Sequence, residues 1–210
     1  MKYIYLLLTL CMFSACSKEE GYGLYKLKDG QEVELLISHR YDAMGDLPLL
    51  AAQKAYPGLS LAGFDSREPG FNYLVKAKMV VYSGPVMMDG GPSDHLNFVK
   101  VISKEKYAGN ESFELSLVRS IVPGPNFVTL YKEGDLYFYI TAFGSKIQLS
   151  YTDVQVGEQL AEIWEFNKNN FSYNNAPSIP SKWKSIVATV THDPENFGKA
   201  YLVSQLKLTK

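Results

Sequence analysis

The stretch NYLVKAKMVVY, residues 72–82, decides the fold. Tyr73, Val75, Ala77, Met79 and Val81 alternate with Leu74, Lys76, Lys78, Val80 and Tyr82, and the second set is the more polar at its start. Successive side chains of a strand point to opposite faces, so this period of two predicts a strand with one face on a core. Its β-branched and aromatic residues suit the same pleated surface.

Working outward, the same pattern predicts strands at residues 98–103, 113–119, 127–131, 136–141 and 146–151, with 185–191 and 199–208 closing the chain. Gly84-Pro85 and Gly90-Gly91-Pro92 bracket a loop. Asp29-Gly30 between two alternating runs predicts a first hairpin. With Gln31 in the loop, Leu27 pairs with Val33 and Tyr25 with Leu35, while Lys28 meets Glu32 and Lys26 meets Glu34. Glu133-Gly134 predicts a second hairpin, with Lys132 opposite Asp135, Tyr131 opposite Leu136 and Leu130 opposite Tyr137. Asp46 is expected to cap a short helix running to Lys54, which Pro57-Gly58 would end. A second helix is expected over 158–168, with Leu160, Ile163, Trp164 and Asn167 on one face. The expected class is mainly β: an antiparallel β-sandwich or barrel of about eight or nine strands with one or two short helices.

Composition narrows the partners. The chain has 210 residues with 21 Lys+Arg against 22 Asp+Glu, which argues against a nucleic-acid partner because that needs a basic face. A hydrophobic content of 46% suffices for a core, and no apolar run after the first approaches membrane-spanning length.

The N-terminal stretch MKYIYLLLTLCMFSACSKEE, residues 1–20, has one positive charge at Lys2, an apolar run from Ile4 to Phe13, and small residues before Cys16. That is the layout of a secretory leader. Phe13-Ser14-Ala15-Cys16 resembles a bacterial lipobox, with Phe13 where the family usually has Leu. Cys11 is followed by Met12 and Phe13, without the small pair that cleavage needs. The resemblance implies cleavage after Ala15 and a lipid on Cys16. Ser17-Lys18-Glu19-Glu20 resembles the short acidic export signal of lipoproteins displayed on some gram-negative surfaces. Together these imply an outer-membrane protein anchored by its N-terminal lipid, at the cell surface or, alternatively, facing the periplasm. The expected division is a signal peptide at 1–15, a lipidated cysteine and tether at 16–23, and one β-rich domain at 24–210. The tether is short, roughly 25 Å if fully extended. With Cys11 removed and Cys16 lipidated, no thiol remains for a disulfide, a zinc site or a nucleophile.

Residues 74–82, 98–109 and 136–143 have the rough rhythm of an OB-type barrel of the netrin-module kind. That family's cysteines are absent from this chain, so none of its functions is carried over.

Signals for chemistry are sparse. Asp89, Asp94 and His95 share a Gly-rich loop in which carboxylates and an imidazole could form a metal site or a general base, but with no second His at ligand spacing a solvated hairpin connection is the better explanation. His192-Asp193-Pro194-Glu195 reads as a turn, and His39 has no visible partner in sequence. No hydrolase elbow, P-loop, zincin or dinucleotide fingerprint occurs, and no cofactor is expected. Aromatic residues make up 13% of the chain, with 15 Tyr. Tyr and Trp faces stack on sugars and fill interfaces, which makes Tyr82, Tyr107, Tyr137, Tyr139, Trp164, Tyr173 and Trp183 candidates for binding; the competing role is core packing. The expected function is a binding or assembly component holding a ligand, a glycan or a neighbouring outer-membrane protein near the bilayer, not an enzyme. The alternatives are a carboxylate-dependent hydrolase and an inhibitor or immunity-like partner.

Overall fold

The computed structural model describes residues 21–84, 93–120, 125–142, 144–169 and 181–210. The protein is mainly β. Strands β1 (Glu32–Ile37), β2 (Leu49–Leu50), β3 (Leu61–Ala62), β4 (Phe71–Val80) and β5 (His95–Lys106) form a sheet of order β2-β1-β4-β5-β3. The alternation at 72–82 thus becomes the central strand, and Tyr73, Val75, Ala77 and Met79 are all buried as their spacing requires. Around them Leu35, Leu59, Phe64 and Leu96 complete a first core.

Two expectations for this region fail. Leu27 does not pair with Val33: residues 24–28 form no strand, and Tyr22 bridges Leu27 across a tight turn. β1 pairs with β4 instead, Val33 opposite Ala77 and Leu35 opposite Val75, with Leu35, Val75 and Ala77 fully buried. Burying that face against the ten-residue β4 outweighs a local hairpin. The Asp-Gly turn still forms, with Gly30 at φ 75, but it hands the chain to β4: the Gly30 amide donates to the Met79 carbonyl and Asp29 Oδ1 accepts from the Val81 amide. Nor does Asp46 cap a helix. Leu49 and Leu50 pair with β1, and the chain turns back through Lys54, at φ 52, to a bridge between Leu50 and Ala55.

β5 carries two bulges against β4, at Val99 and Ile102, the residues its register skips. Bulges and lysines are devices that keep a strand edge from pairing further, and Lys100, Lys104 and Lys106 flank these positions.

The rest of the chain supplies β6 (Phe113–Ser116), β7 (Val118–Ser120), β8 (Asn126–Val128), β9 (Leu130–Glu133), β10 (Leu136–Ile140), β11 (Lys146–Tyr151), α1 (Val154–Asn167), β12 (Ser185–His192) and β13 (Ala200–Thr209). Six of these strands form a second sheet of order β6-β12-β13-β11-β10-β9. Strands expected as single runs break at Leu117 and Thr129, and the displaced pieces β7 and β8 pair with each other. The sheet therefore curls into a half-barrel whose two edges meet at one end. β11 and β13 run parallel, joined by the long crossover through α1 and β12 that parallel pairing requires.

The second hairpin also shifts from expectation. Leu136 faces Glu133, Tyr137 faces Lys132, Phe138 faces Tyr131 and Tyr139 faces Leu130, so Gly134-Asp135 is the loop. Gly134 has φ 59 and stands first in it, which suits a type II′ turn. The slip is by two along the partner, which keeps every side chain on its expected face.

α1 begins a turn before the expected helix. Asp153 caps it by accepting from the Gln155 amide at 2.7 Å, and Val156, Leu160, Ile163 and Asn167 are buried. Asn167 Nδ2 donates to the Val128 and Leu130 carbonyls at 3.2 and 3.0 Å, the two acceptors that flank the break at Thr129. Trp183, Tyr139 and Tyr201 lie in the same core.

Candidate functional site

β1 ends at Ile37 in the first core, yet Tyr41 and Ala43 belong to the second. Residues 38–46 are therefore a joint between the sheets. Irregular backbone that runs inward needs partners for its polar groups, and here the second sheet supplies them. Tyr201 Oη donates to the Tyr41 carbonyl at 2.9 Å, and the Met44 amide donates to the Glu114 carbonyl at 2.8 Å.

Two carboxylates fix the joint. Asp42 has φ 62, a left-handed conformation that costs a non-glycine residue about 1–2 kcal/mol. Its Oδ2 accepts from the Arg119 guanidinium, from Tyr139 Oη at 2.9 Å and from the Ala142 amide at 2.9 Å. Burial, and then the Asp42 carboxylate, push the Tyr139 hydroxyl well above its ordinary pKa, so it remains a donor. Asp46 receives Arg67 in a two-pronged contact of 2.7 and 2.8 Å, with side chains only 5% and 12% exposed. Arg67 also donates to the Ser38 carbonyl at 2.8 Å, and its guanidinium carbon lies 4.7 Å from the Tyr41 ring centre. The planar arginine fork suits both pairings better than lysine.

A second feature of the joint is an imidazole pair. His39 Nδ1 and His192 Nε2 are 2.8 Å apart. Tyr107, just past β5, stacks on His39 at 3.5 Å and 3° between planes, while Phe113, Phe197 and Tyr201 surround His192. Burial, and then His39, push His192 down to about 4; burial, and then Arg40, also lower His39. At neutral pH both rings are uncharged, and one donates its proton to the other. Among the described residues, His192 Nδ1 is buried with no partner.

Beside the joint opens a pocket of about 170 Å3 whose walls all come from residues 37–67. Ile37, Leu61 and Phe64 make it apolar, and Asp42, Asp46 and Arg67 contribute its polar side. Leu47 and Tyr56, also lining it, are 44% and 42% exposed and so put apolar surface at its rim.

The sites expected from sequence fall elsewhere. Cys16, Ser17, Lys18, Glu19, Glu20, Asp89 and Tyr173 lie outside the described residues. Asp94 Oδ1 accepts from the Tyr82 amide at 2.8 Å and His95 Nδ1 lies 2.9 Å from the Ser93 carbonyl, so both brace the end of the β4–β5 hairpin. Among the described residues no three His, Cys, Asp or Glu side chains converge as metal ligands. Tyr137, Tyr139 and Trp183 are core residues with no ring face left for a ligand. Trp164 is half-buried and meets Tyr131 edge-on at 5.8 Å; Tyr82 is half-buried too. Two of these candidates take part in the joint, Tyr107 through its stack on His39 and Tyr139 through its hydroxyl on Asp42. Sequence reasoning missed Asp42, Asp46, Arg67, Arg119 and the histidine pair. One signal was available: the chain has three arginines against eighteen lysines, and Arg40, Arg67 and Arg119 all lie at or beside the joint. Comparison with protein-family models, with curated proteins and with solved structures gives no significant match.

Proposed function

We propose that the mature chain is an outer-membrane lipoprotein, anchored through Cys16 and displayed at the cell surface by the Ser17 to Glu20 tag, that acts as a binding component with the pocket beside residues 38–46 as its ligand seat. The observation that carries the binding role is the pocket: apolar walls, exposed Leu47 and Tyr56, and a buried Arg67–Asp46 pair on one side. A concave apolar site with a few fixed polar groups is the usual form of a ligand seat. A carboxylate-dependent hydrolase has less support, because Asp94 is engaged by the Tyr82 backbone and His95 lies against the Ser93 carbonyl.

The test is affinity capture from intact cells, with mass analysis of the membrane-extracted protein. The reading expects an N-terminal acylated Cys16 and a co-purifying ligand, glycan or membrane protein that is lost in Tyr56→Ala. Replacing Lys18, Glu19 and Glu20 with Ala should leave the lipid in place and reduce labelling of intact cells. A water-soluble product that starts elsewhere refutes the anchor, and capture unchanged by both Tyr56→Ala and Leu47→Ala refutes the seat.

A further inference from the structure

We infer that a second groove, on the outward face of the first sheet, binds an unbranched fatty carboxylate, with its chain on Leu36, Leu47 and Leu49 and its head group on Arg40. This groove shares only Ile37 and Leu47 with the pocket proposed above as the ligand seat, so the two sites stand or fall separately.

Strand alternation makes the apolar part. Leu35 and Ile37 are buried in the first core, which turns Leu36 and then Ser38 to the opposite face. There Leu36 stands directly across from Leu49 of β2, and Leu47, 44% exposed, adds to the same wall. On β4, Asn72 alternates with buried Tyr73 and so shares the outward face. The groove measures about 360 Å3. That is more than twice the roughly 150 Å3 that holds benzene, which leaves room for a chain of about eight to twelve carbons.

One end of the groove offers donors and almost no acceptors. Ser38 Oγ accepts from both the Arg40 amide and Arg40 Nε at 3.2 Å, which fixes the guanidinium beside a groove-lining side chain and leaves the Ser38 hydroxyl only its proton to give. The Ser38 carbonyl is held by Arg67. Asn72 Oδ1 accepts from the His39 amide at 3.0 Å, which fixes the orientation of the amide group and leaves Nδ2 as a donor at the groove. Arg67 and Arg119 each have a carboxylate partner, whereas among the described residues none pairs with half-buried Arg40. Glu105, opposite Asn72 on β5, does not line the groove.

Donors converging on one unpaired cation select an oxyanion, and two open guanidinium nitrogens match the two oxygens of a carboxylate. A single positive charge balances a carboxylate; a phosphate monoester, at about −1.5 to −2, would keep excess charge against the leucines. Leucine walls beside that end call for an apolar chain on the same molecule.

The experiment follows the methyl signals of Leu36 and Leu49 and the Arg40 Nε–H signal by NMR while purified protein is titrated with octanoate, octan-1-ol, octyl phosphate and acetate. Octanoate should move all three signals and bind about tenfold tighter than octan-1-ol, as expected of a charge-assisted pair. Octyl phosphate should bind no tighter than octanoate, and acetate at least tenfold weaker. Arg40→Gln, which breaks no ion pair, should bring octanoate down to the level of octan-1-ol; Leu36→Ala should weaken both; Tyr56→Ala, in the other pocket, should change neither. Equal binding of octanoate and octan-1-ol, or octanoate binding unchanged by Arg40→Gln, overturns the oxyanion end. Octyl phosphate binding more tightly than octanoate overturns the carboxylate, and acetate matching octanoate overturns the chain. Octanoate lost in Tyr56→Ala but kept in Arg40→Gln moves the ligand to the other pocket, and no shift at Leu36 or Leu49 with any probe overturns the groove itself.

Discussion

Replacing His192 with Phe should flatten the acid side of the protein's stability profile between pH 6.5 and 4. In the fold His192 is held neutral by burial and by His39, with its pKa pushed down to about 4. In the unfolded chain it titrates near 6.5, so as pH falls through that value the unfolded state takes up the proton first. The neutral ring's contribution is therefore fully present above pH 6.5 and lost progressively as pH falls toward 4. At 1.36 kcal/mol per pH unit, a pKa of 6.5 unfolded and about 4 folded gives at most about 3 kcal/mol. Phe carries no proton and fits the aromatic surroundings of Phe113, Phe197 and Tyr201. Its cost at pH 7.5 is the hydrogen bond to His39, about 1 kcal/mol. Arg40, Glu111, Asp46 and Arg67 also act on His39, but they are present in both proteins and largely cancel in the difference. Urea unfolding followed by fluorescence of Trp164 and Trp183, at pH steps from 4 to 8, measures both profiles. The wild type should lose about 2–3 kcal/mol more than His192→Phe between pH 7.5 and 4. Parallel profiles would refute the reasoning and show that the imidazole pair does not resist protonation.

Asp46→Ala removes the counter-charge of a guanidinium that is 12% exposed and should cost about 3 kcal/mol of unfolding free energy in urea. Asn167→Leu leaves the Val128 and Leu130 carbonyls without their donor and should cost about 2 kcal/mol, although Leu is the better helix former. Gly134→Ala forces a side chain into φ 59 with no neighbour in its way, so the penalty is conformational, about 1 kcal/mol, and the cross-strand contacts of Tyr137 and Lys132 should be unchanged by NMR.

Where the sequence was legible, the reason was periodicity. The alternation at 72–82 buries Tyr73, Val75, Ala77 and Met79 but leaves Val81 40% exposed past the strand's end, and the helical spacing buries Leu160, Ile163 and Asn167 while Trp164 is half-buried. Turn chemistry was legible only in part. Asp29-Gly30 and Gly134 do turn the chain, but turn residues do not name the strand that follows as partner; long-range burial of Val33 and Leu35 against β4 settled the first case. The aromatic candidates were chosen by residue type, and type does not report depth: Tyr139 and Trp183 are among the largest side chains of the core. The joint was illegible for a related reason. Asp42 and Arg119 are 77 positions apart, and His39 and His192 are 153 apart. No local pattern links such residues, and only the scarcity of arginine beside abundant lysine hinted that those positions need a planar fork.

The claim on which the site depends is that residues 38–46 are a joint held by the second sheet rather than a surface loop. Hydrogen exchange at the Met44 amide tests it most directly, because the residue is 51% exposed while its N–H donates to the Glu114 carbonyl at 2.8 Å. The account predicts exchange as slow as that of the Leu117 amide, which donates to the Ile186 carbonyl inside the half-barrel, so that both open only with global unfolding. A Met44 amide that exchanges within about tenfold of the unprotected rate, while Leu117 stays protected, would contradict it.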